Sequence, residues 1–157
     1  SQSGRLLTQL LMLIGGSPGS TAGGIKTTTI TVLFLAVIAS VNKKNGLRIF
    51  KRRLEDSAIR QAAAITMLYL IAVLLSTFII TAIEPLDMAD VFFETISAIG
   101  TVGLSTGIVP LLSSWSKMII MFLMYAGKVG MLSLAMSFVY KKINVLTDRP
   151  IEKIIIG

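Results

Sequence analysis

From Gln61 to Ile83 the chain runs 23 residues without a charge. As a helix, such a run is roughly 35 Å long, and the hydrocarbon core of a bilayer is about 30 Å thick. It reads as a transmembrane helix, ended by Glu84-Pro85 because proline disfavours helical backbone at the residue before it. Composition agrees with this. Of the 157 residues, 54% are hydrophobic and 15% charged, with a mean hydropathy of +0.81. Soluble domains carry about 25% charged residues. The competing reading, a buried helix in a soluble core, lacks the charged surface it needs.

A second apolar stretch runs from Met118 to Tyr140, with Lys128 as its only charge. Trp115 before it and Tyr140-Lys141-Lys142 at its end are interface anchors. Between the two spans, residues 87–98 predict a short helix, with Asp87 and Asp90 suited to its N-terminus. Twelve residues give roughly 18 Å, too short to cross. The segment Gly100-Thr101-Val102-Gly103-Leu104-Ser105 then cannot continue as helix. The pattern is span, re-entrant half-helix, irregular loop, span.

The first 41 residues hold two apolar pieces, Leu6 to Ile14 and Thr27 to Val41, each short for a span. Between them lie Gly15, Gly16, Ser17, Pro18, Gly19, Ser20, Thr21, Ala22, Gly23, Gly24, Ile25 and Lys26. Five glycines and a proline break helices. One broken membrane helix with an unwound middle is the expectation. Irregular backbone at membrane depth is tolerated only where protein buries it or a watery cavity receives it. The feature therefore points to a permeation path.

The net charge of +7 is distributed by side. Residues 42–60 carry seven cations, Lys43, Lys44, Arg48, Lys51, Arg52, Arg53 and Arg60. The tail, residues 141–157, carries four. Residues 84–117 carry one cation, Lys117, and four acids, Glu84, Asp87, Asp90 and Glu94. The positive-inside rule places 42–60 and 141–157 in the cytoplasm of a multi-pass protein of the cell membrane. The charge is thus explained without nucleic acid. The basic loop reads as a topological determinant, with docking of an acidic partner or anionic lipid as the alternative. Cysteine and histidine are absent, which excludes disulfides, thiolate nucleophiles and the usual general base. Serine and threonine show no hydrolase spacing, so no enzyme and no cofactor are expected. The chain starts at Ser1 with no signal peptide, and the expectation is that it begins inside a longer protein.

Two motifs bear on chemistry. Gly19 to Thr27 approaches the phosphate-loop pattern G-x-x-x-x-G-K-[ST]. Ile25 intrudes between Gly24 and Lys26 and turns the following helix by about 100°, so a nucleotide-binding module is a weak alternative. Thr101-Val102-Gly103 follows a half-helix whose C-terminal end carries partial negative charge. An extended loop there can aim successive carbonyls at a dehydrated cation, as potassium filters do. An ordinary extracellular turn is the plain alternative. Lys128, ionisable within a span, reads as a gate or flux limiter, or as a lysine paired to helix carbonyls for structure. Its neighbours Gly127 and Gly130 allow another backbone to approach. Glu94 reads as a partner behind the filter, or as an added attraction for cations.

Taken together, residues 15–29 (Gly15 through Lys26-Thr27-Thr28-Thr29) and 93–105 (Phe93-Glu94-Thr95-Ile96-Ser97-Ala98-Ile99-Gly100-Thr101-Val102-Gly103-Leu104-Ser105) resemble the Trk/Ktr/HKT superfamily of potassium uptake proteins, most of all its bacterial Ktr-type membrane subunits. The resemblance covers essentially the whole chain. It implies an all-α membrane protein with M1–pore helix–M2 repeats in a pseudo-fourfold, ion-channel-like pore, and one broken transmembrane helix. Residues 1–41 would be the second helix of repeat three, with intramembrane loop 15–26. Repeat four would comprise M1 61–83, pore helix 87–98, filter 100–105 and M2 118–140. Potassium would be held only at Thr101, Val102, Gly103 and Leu104, with residues 15–26 and Lys128 as the gate. The basic residue of the last helix is often arginine in that family. Lysine keeps the charge and loses the planar fork. The resemblance further implies a homodimer, a cytoplasmic nucleotide-binding RCK ring as partner, and sodium as an activating ion. The expectation from sequence is a potassium-conducting subunit, and an ion-coupled secondary transporter with a midplane site is its alternative.

Overall fold

The computed structural model describes residues 2–41, 48–49, 52–53, 56–131 and 133. The elements follow as α1 (Gln2–Leu13), α2 (Thr27–Val41), a two-residue ribbon of β1 (Arg48–Ile49) and β2 (Arg52–Arg53), α3 (Asp56–Ile83), α4 (Met88–Gly100), a 3-10 turn (Val109–Leu111) and α5 (Ser114–Val129). The ribbon is antiparallel, with Arg48 opposite Arg53 and Ile49 opposite Arg52. Apart from it, the described residues are helical or loop.

Helix α3 contains the uncharged run and begins before it, at Asp56. Its portion Ser57–Ile83, 27 residues, is the one described helix long and apolar enough to cross a membrane, and 22% of its most apolar stretch is buried. The core helix of a soluble protein would be mostly covered. Here Met67, Leu74 and Phe78 are exposed on α3, as are Leu6, Leu10 and Leu11 on α1 and Phe34 and Val37 on α2. Faces this apolar fit a lipid or protein surround better than water.

The hub is α4. It packs against α5, α3 and α1, while α2 packs on α3. From Phe93 to Gly100 every residue of α4 is buried. The main core gathers Met12 from α1, Ile25 from the glycine loop, Tyr69 and Val73 from α3, Ile96 and Ile99 from α4, and Leu123 from α5. Burying side chains of this size is worth about 1.5–3 kcal/mol each. Thr77 and Thr95 share a 2.9 Å hydroxyl bond across the α3–α4 contact. Thr95 Oγ1 also bonds Phe92 O at 3.0 Å, so the buried polar pair is satisfied.

Helix α5 crosses the end of α4 in backbone contact. A Cβ built on Gly127 would lie 1.9 Å from Ile99 O, a distance no side chain can occupy. Glycine is required there.

Three features differ from the sequence expectations. Asp87 is the N-cap of α4 but makes no side-chain capping bond; Asp90, in the first turn, instead forms an ion pair with Arg5 of α1. The second apolar stretch, read as one helix over 118–140, starts earlier and is interrupted: α5 spans Ser114–Val129, and Met131 and Ser133 are helical again beyond Gly130. Gly130 takes φ 95°, where the helical ladder cannot pass. Gly130 therefore breaks the helix, and among the described residues it is Gly127 that makes the close approach. Residues 134–140, the tail 141–157 and most of the basic loop 42–60 lie outside the described residues.

The α3–α4 corner is tied to the start of α5 by Glu84. Its Oε1 accepts from Ser113 N at 2.8 Å and Ser116 Oγ at 2.8 Å. Ser113 caps α5 by accepting from Ser116 N. Hydrogen bonds from Ser113, side chain and backbone, and then from Ser116, hold the Glu84 carboxyl below its ordinary pKa. A depressed carboxyl stabilises the fold above its unfolded pKa and loses that contribution as pH falls through the folded one. In the full-length protein, Glu84→Gln should therefore lower the unfolding temperature at neutral pH, with the gap to the parent closing in acid. Calorimetry in detergent from about pH 7 to about pH 3 checks the sign.

Candidate functional site

The carboxyl end of α4 stops inside the protein. Thr101 N donates to Ala98 O at 3.1 Å and Val102 N to Ser97 O at 3.0 Å, the paired bonds of a Schellman closure. That closure needs a left-handed residue, and glycine usually supplies it. Here Thr101 does, at φ 54° and ψ 37°, the only non-glycine with positive φ among the described residues. A β-branched residue in that region costs on the order of 1–3 kcal/mol. Its hydroxyl reaches across to the glycine loop, where Thr101 Oγ1 accepts from Gly23 N at 2.7 Å. Gly23 has no room for a Cβ, which would sit 2.7 Å from Thr101 Cγ2 and 3.0 Å from Gly127 O.

Beyond Thr101 the chain has no regular secondary structure and is exposed over residues 102–106. Val102 and Leu104 are exposed. Gly103 has φ 82° and nothing within 4 Å of where a Cβ would stand. This segment, α1 and the glycine loop share a hollow of about 470 Å³, lined by Thr8, Met12, Gly15, Ala22, Thr101 and Leu104 among others. Behind the segment stands Glu94, 5% exposed. Its Oε1 accepts from Ser105 Oγ at 2.5 Å, Thr106 N at 2.8 Å and Thr106 Oγ1 at 3.3 Å. Of its two sequence readings, this geometry is that of a partner behind the loop.

Residues 15–26 form a loop with a closed neck. Gly15 N donates to Ile25 O at 2.8 Å, Ile25 N to Leu13 O at 3.2 Å, and Thr27 N to Gly16 O at 3.4 Å. Ile25 is 2% exposed and anchors the neck in the core. The excursion beyond it is held by Ser20 N to Ser17 O at 3.0 Å and Ala22 N to Ser20 Oγ at 3.2 Å. Two ammonium groups complete it. Lys26 Nζ donates to Ala22 O at 2.5 Å and Ser20 O at 3.4 Å, and Lys128 Nζ donates to Thr21 O at 2.7 Å. Lys128 lies in the last turn of α5, just before the break at Gly130. A second hollow of about 270 Å³ opens behind the loop, with Lys26, Tyr69, Gly127 and Lys128 in its wall.

The residues singled out from the sequence thus gather in one neighbourhood at the end of α4. The phosphate-loop alternative does not fit this arrangement: a helix, α1, leads into the loop where a strand is needed, and Lys26 folds back onto loop carbonyls. Sequence reasoning missed the Thr101 hydroxyl. The one signal for it was a threonine where a Schellman closure asks for glycine.

A helical chain with one span apolar enough for lipid, and a glycine loop between α1 and α2, is compatible with an all-helical membrane protein. Comparison with known proteins makes this specific. The family described as TrkH, cation transport protein, matches residues 1–144, and this chain belongs to that family. It is 37% identical over 147 residues to the Ktr system potassium uptake protein D of Bacillus subtilis, covering 94% of this chain and 33% of that protein. Against the Ktr system potassium uptake protein B of the same organism, identity is 40% over 133 residues, or 85% of this chain and 30% of that protein. The potassium/sodium uptake protein NtpJ of Enterococcus hirae is 33% identical over 163 residues, covering 100% of this chain and 36% of its own length. The chain therefore spans about a third of the length of these relatives.

The Glu94 clamp yields a direct prediction. Glu94→Ala removes the acceptor of the Thr106 amide, an exposed group that water can then serve, at a net cost of about 0.5–1.5 kcal/mol. In the full-length protein, hydrogen exchange over residues 103–107 should quicken while exchange in α3 stays at the parent rate.

Proposed function

We propose that this chain is part of the ion-conducting membrane subunit of a potassium uptake system, passing K+ down its electrochemical gradient. In this reading α4 is the pore helix of a fourth M1–pore helix–M2 repeat in a pseudo-fourfold pore, with α3 as M1 and α5 opening M2. Backbone carbonyls of Thr101, Val102, Gly103 and Leu104 replace the water around K+. The loop Gly15–Lys26, with Lys128, is the gate, and α1 and α2 are the two halves of the broken helix.

The observation that carries the proposal is the shared hollow: the glycine loop and the irregular segment after α4 both line one hollow of about 470 Å³. Three physical points support it. The C-terminal end of α4 carries partial negative charge, which favours a cation. Gly103 adopts φ 82°, a region that lets a filter carbonyl turn where an L side chain would resist. Irregular backbone on both sides of the hollow is what lining a watery cavity permits. The names of the relatives, potassium uptake proteins in two cases and potassium/sodium uptake in a third, agree with K+ as cargo.

The rest of the proposal concerns the whole subunit. Residues 42–60 and 141–157 face the cytoplasm of a multi-pass protein in the cell membrane. The subunit pairs as a homodimer and answers to a cytoplasmic RCK ring, with Na+ as an activating ion.

Two tests apply to the full-length protein. Gly103→Ser should lower potassium-over-sodium selectivity in flux measurements by about ten-fold, the effect of roughly 1.4 kcal/mol; an unchanged ratio counts against the filter. Removal of residues 20–24 should raise basal flux, and wild-type flux in that deletion overturns the gate. Unitary current steps support conduction through a pore, whereas a fixed co-ion stoichiometry would replace it with coupled transport.

A further inference from the structure

We propose that the Thr101 side chain is a positioning residue that latches the glycine loop to the half-helix, so that gate and filter are joined by one hydrogen bond. The inference rests on the functional reading above and concerns how that site is regulated.

Four observations carry it. Thr101 Oγ1 accepts from Gly23 N at 2.7 Å, a bond between residues 78 apart in sequence. Thr101 is strained at φ 54°, in a position glycine would fill at less cost, so the hydroxyl is the reason for a threonine. Gly23 fits against Thr101 because it lacks a Cβ, which would meet Thr101 Oγ1 at 2.8 Å. The far side of the same loop is held by Lys128 Nζ on Thr21 O at 2.7 Å. The loop is therefore fastened from two elements, α4 and α5, with its neck pinned independently by Ile25. Release of the Gly23–Thr101 bond frees the tip without unfolding the neck. The Gly23 amide then needs water as its partner, which ties opening of the loop to wetting of the hollow.

The chemistry separates the latch from the filter. A filter role belongs to the Thr101 carbonyl, present in every residue, while the latch belongs to its hydroxyl. In the full-length protein in lipid nanodiscs, Thr101→Val removes the acceptor and keeps the shape. It should speed hydrogen exchange at the Gly23 amide and raise basal potassium flux, each about five-fold, the factor one net hydrogen bond is worth. Thr101→Ser, which restores the acceptor, should recover most of both changes. Parent-like exchange at Gly23 in Thr101→Val overturns the latch, whether or not the variant still conducts. Faster exchange with unaltered flux leaves the latch standing and removes the loop from the role of gate.

Discussion

The last turn of α4 is enclosed by backbone on three sides, and three glycines make that possible. Gly127 brings α5 against Ile99 O, Gly100 brings α4 against Met12 O of α1, and Gly23 brings the loop against Thr101. A Cβ at these positions would lie 1.9, 2.7 and 2.7 Å from its nearest atom. Protein interiors do not yield by an ångström without cost, and overpacking of a single site costs about 1–3 kcal/mol. These contacts fix where α4 stops, and so fix the position of the segment that follows. The surrounding aliphatic core stabilises the assembly, but the glycines set its register.

Enclosure also explains why a buried helix end is tolerated. The last carbonyls of a helix lack intrahelical partners, and in an apolar surround each orphan costs several kcal/mol. Here the Schellman pair uses Ala98 O and Ser97 O. The hydroxyl of Thr101, freed by the left-handed turn, then serves a different backbone, the Gly23 amide. Glu94 serves the next stretch in the same way, collecting donors from Ser105 and Thr106. Among the described residues no buried side-chain polar atom is left without a partner. The end of α4 is thus buried, the residues 102–107 after it are exposed, and Glu94 ties the two together.

Much of this architecture was legible in sequence, because the signals were local. An uncharged run, a proline after Glu84 and a cluster of glycines each act within one or two turns. They marked α3, its end and the interruption between α1 and α2. The interruption of α5 was not legible. Gly130 stands in an apolar run beside Gly127, and sequence alone gives both the same character; only the structure separates a glycine that breaks a helix from one that admits a neighbour. Asp87 misled for a related reason. A capping residue signals through its side chain, but Asp90, one turn on, is drawn away to Arg5, and Asp87 caps by backbone position alone. The Gly23–Thr101 bond was the least accessible, since nothing local links residues 78 apart.

The two lysines give the loop its particular character. Three successive carbonyls, of Ser20, Thr21 and Ala22, accept from ammonium groups of Lys26 and Lys128. An ammonium is a compact, strongly hydrated charge, and carbonyl oxygens take the place of its water here. That exchange is the same one a filter makes with an alkali cation, carried out with a cation that is tethered. A loop stitched in this way is held by cations of its own chain. The stitches thus join the loop to Lys26, the residue just before α2, and to Lys128 in the last turn of α5.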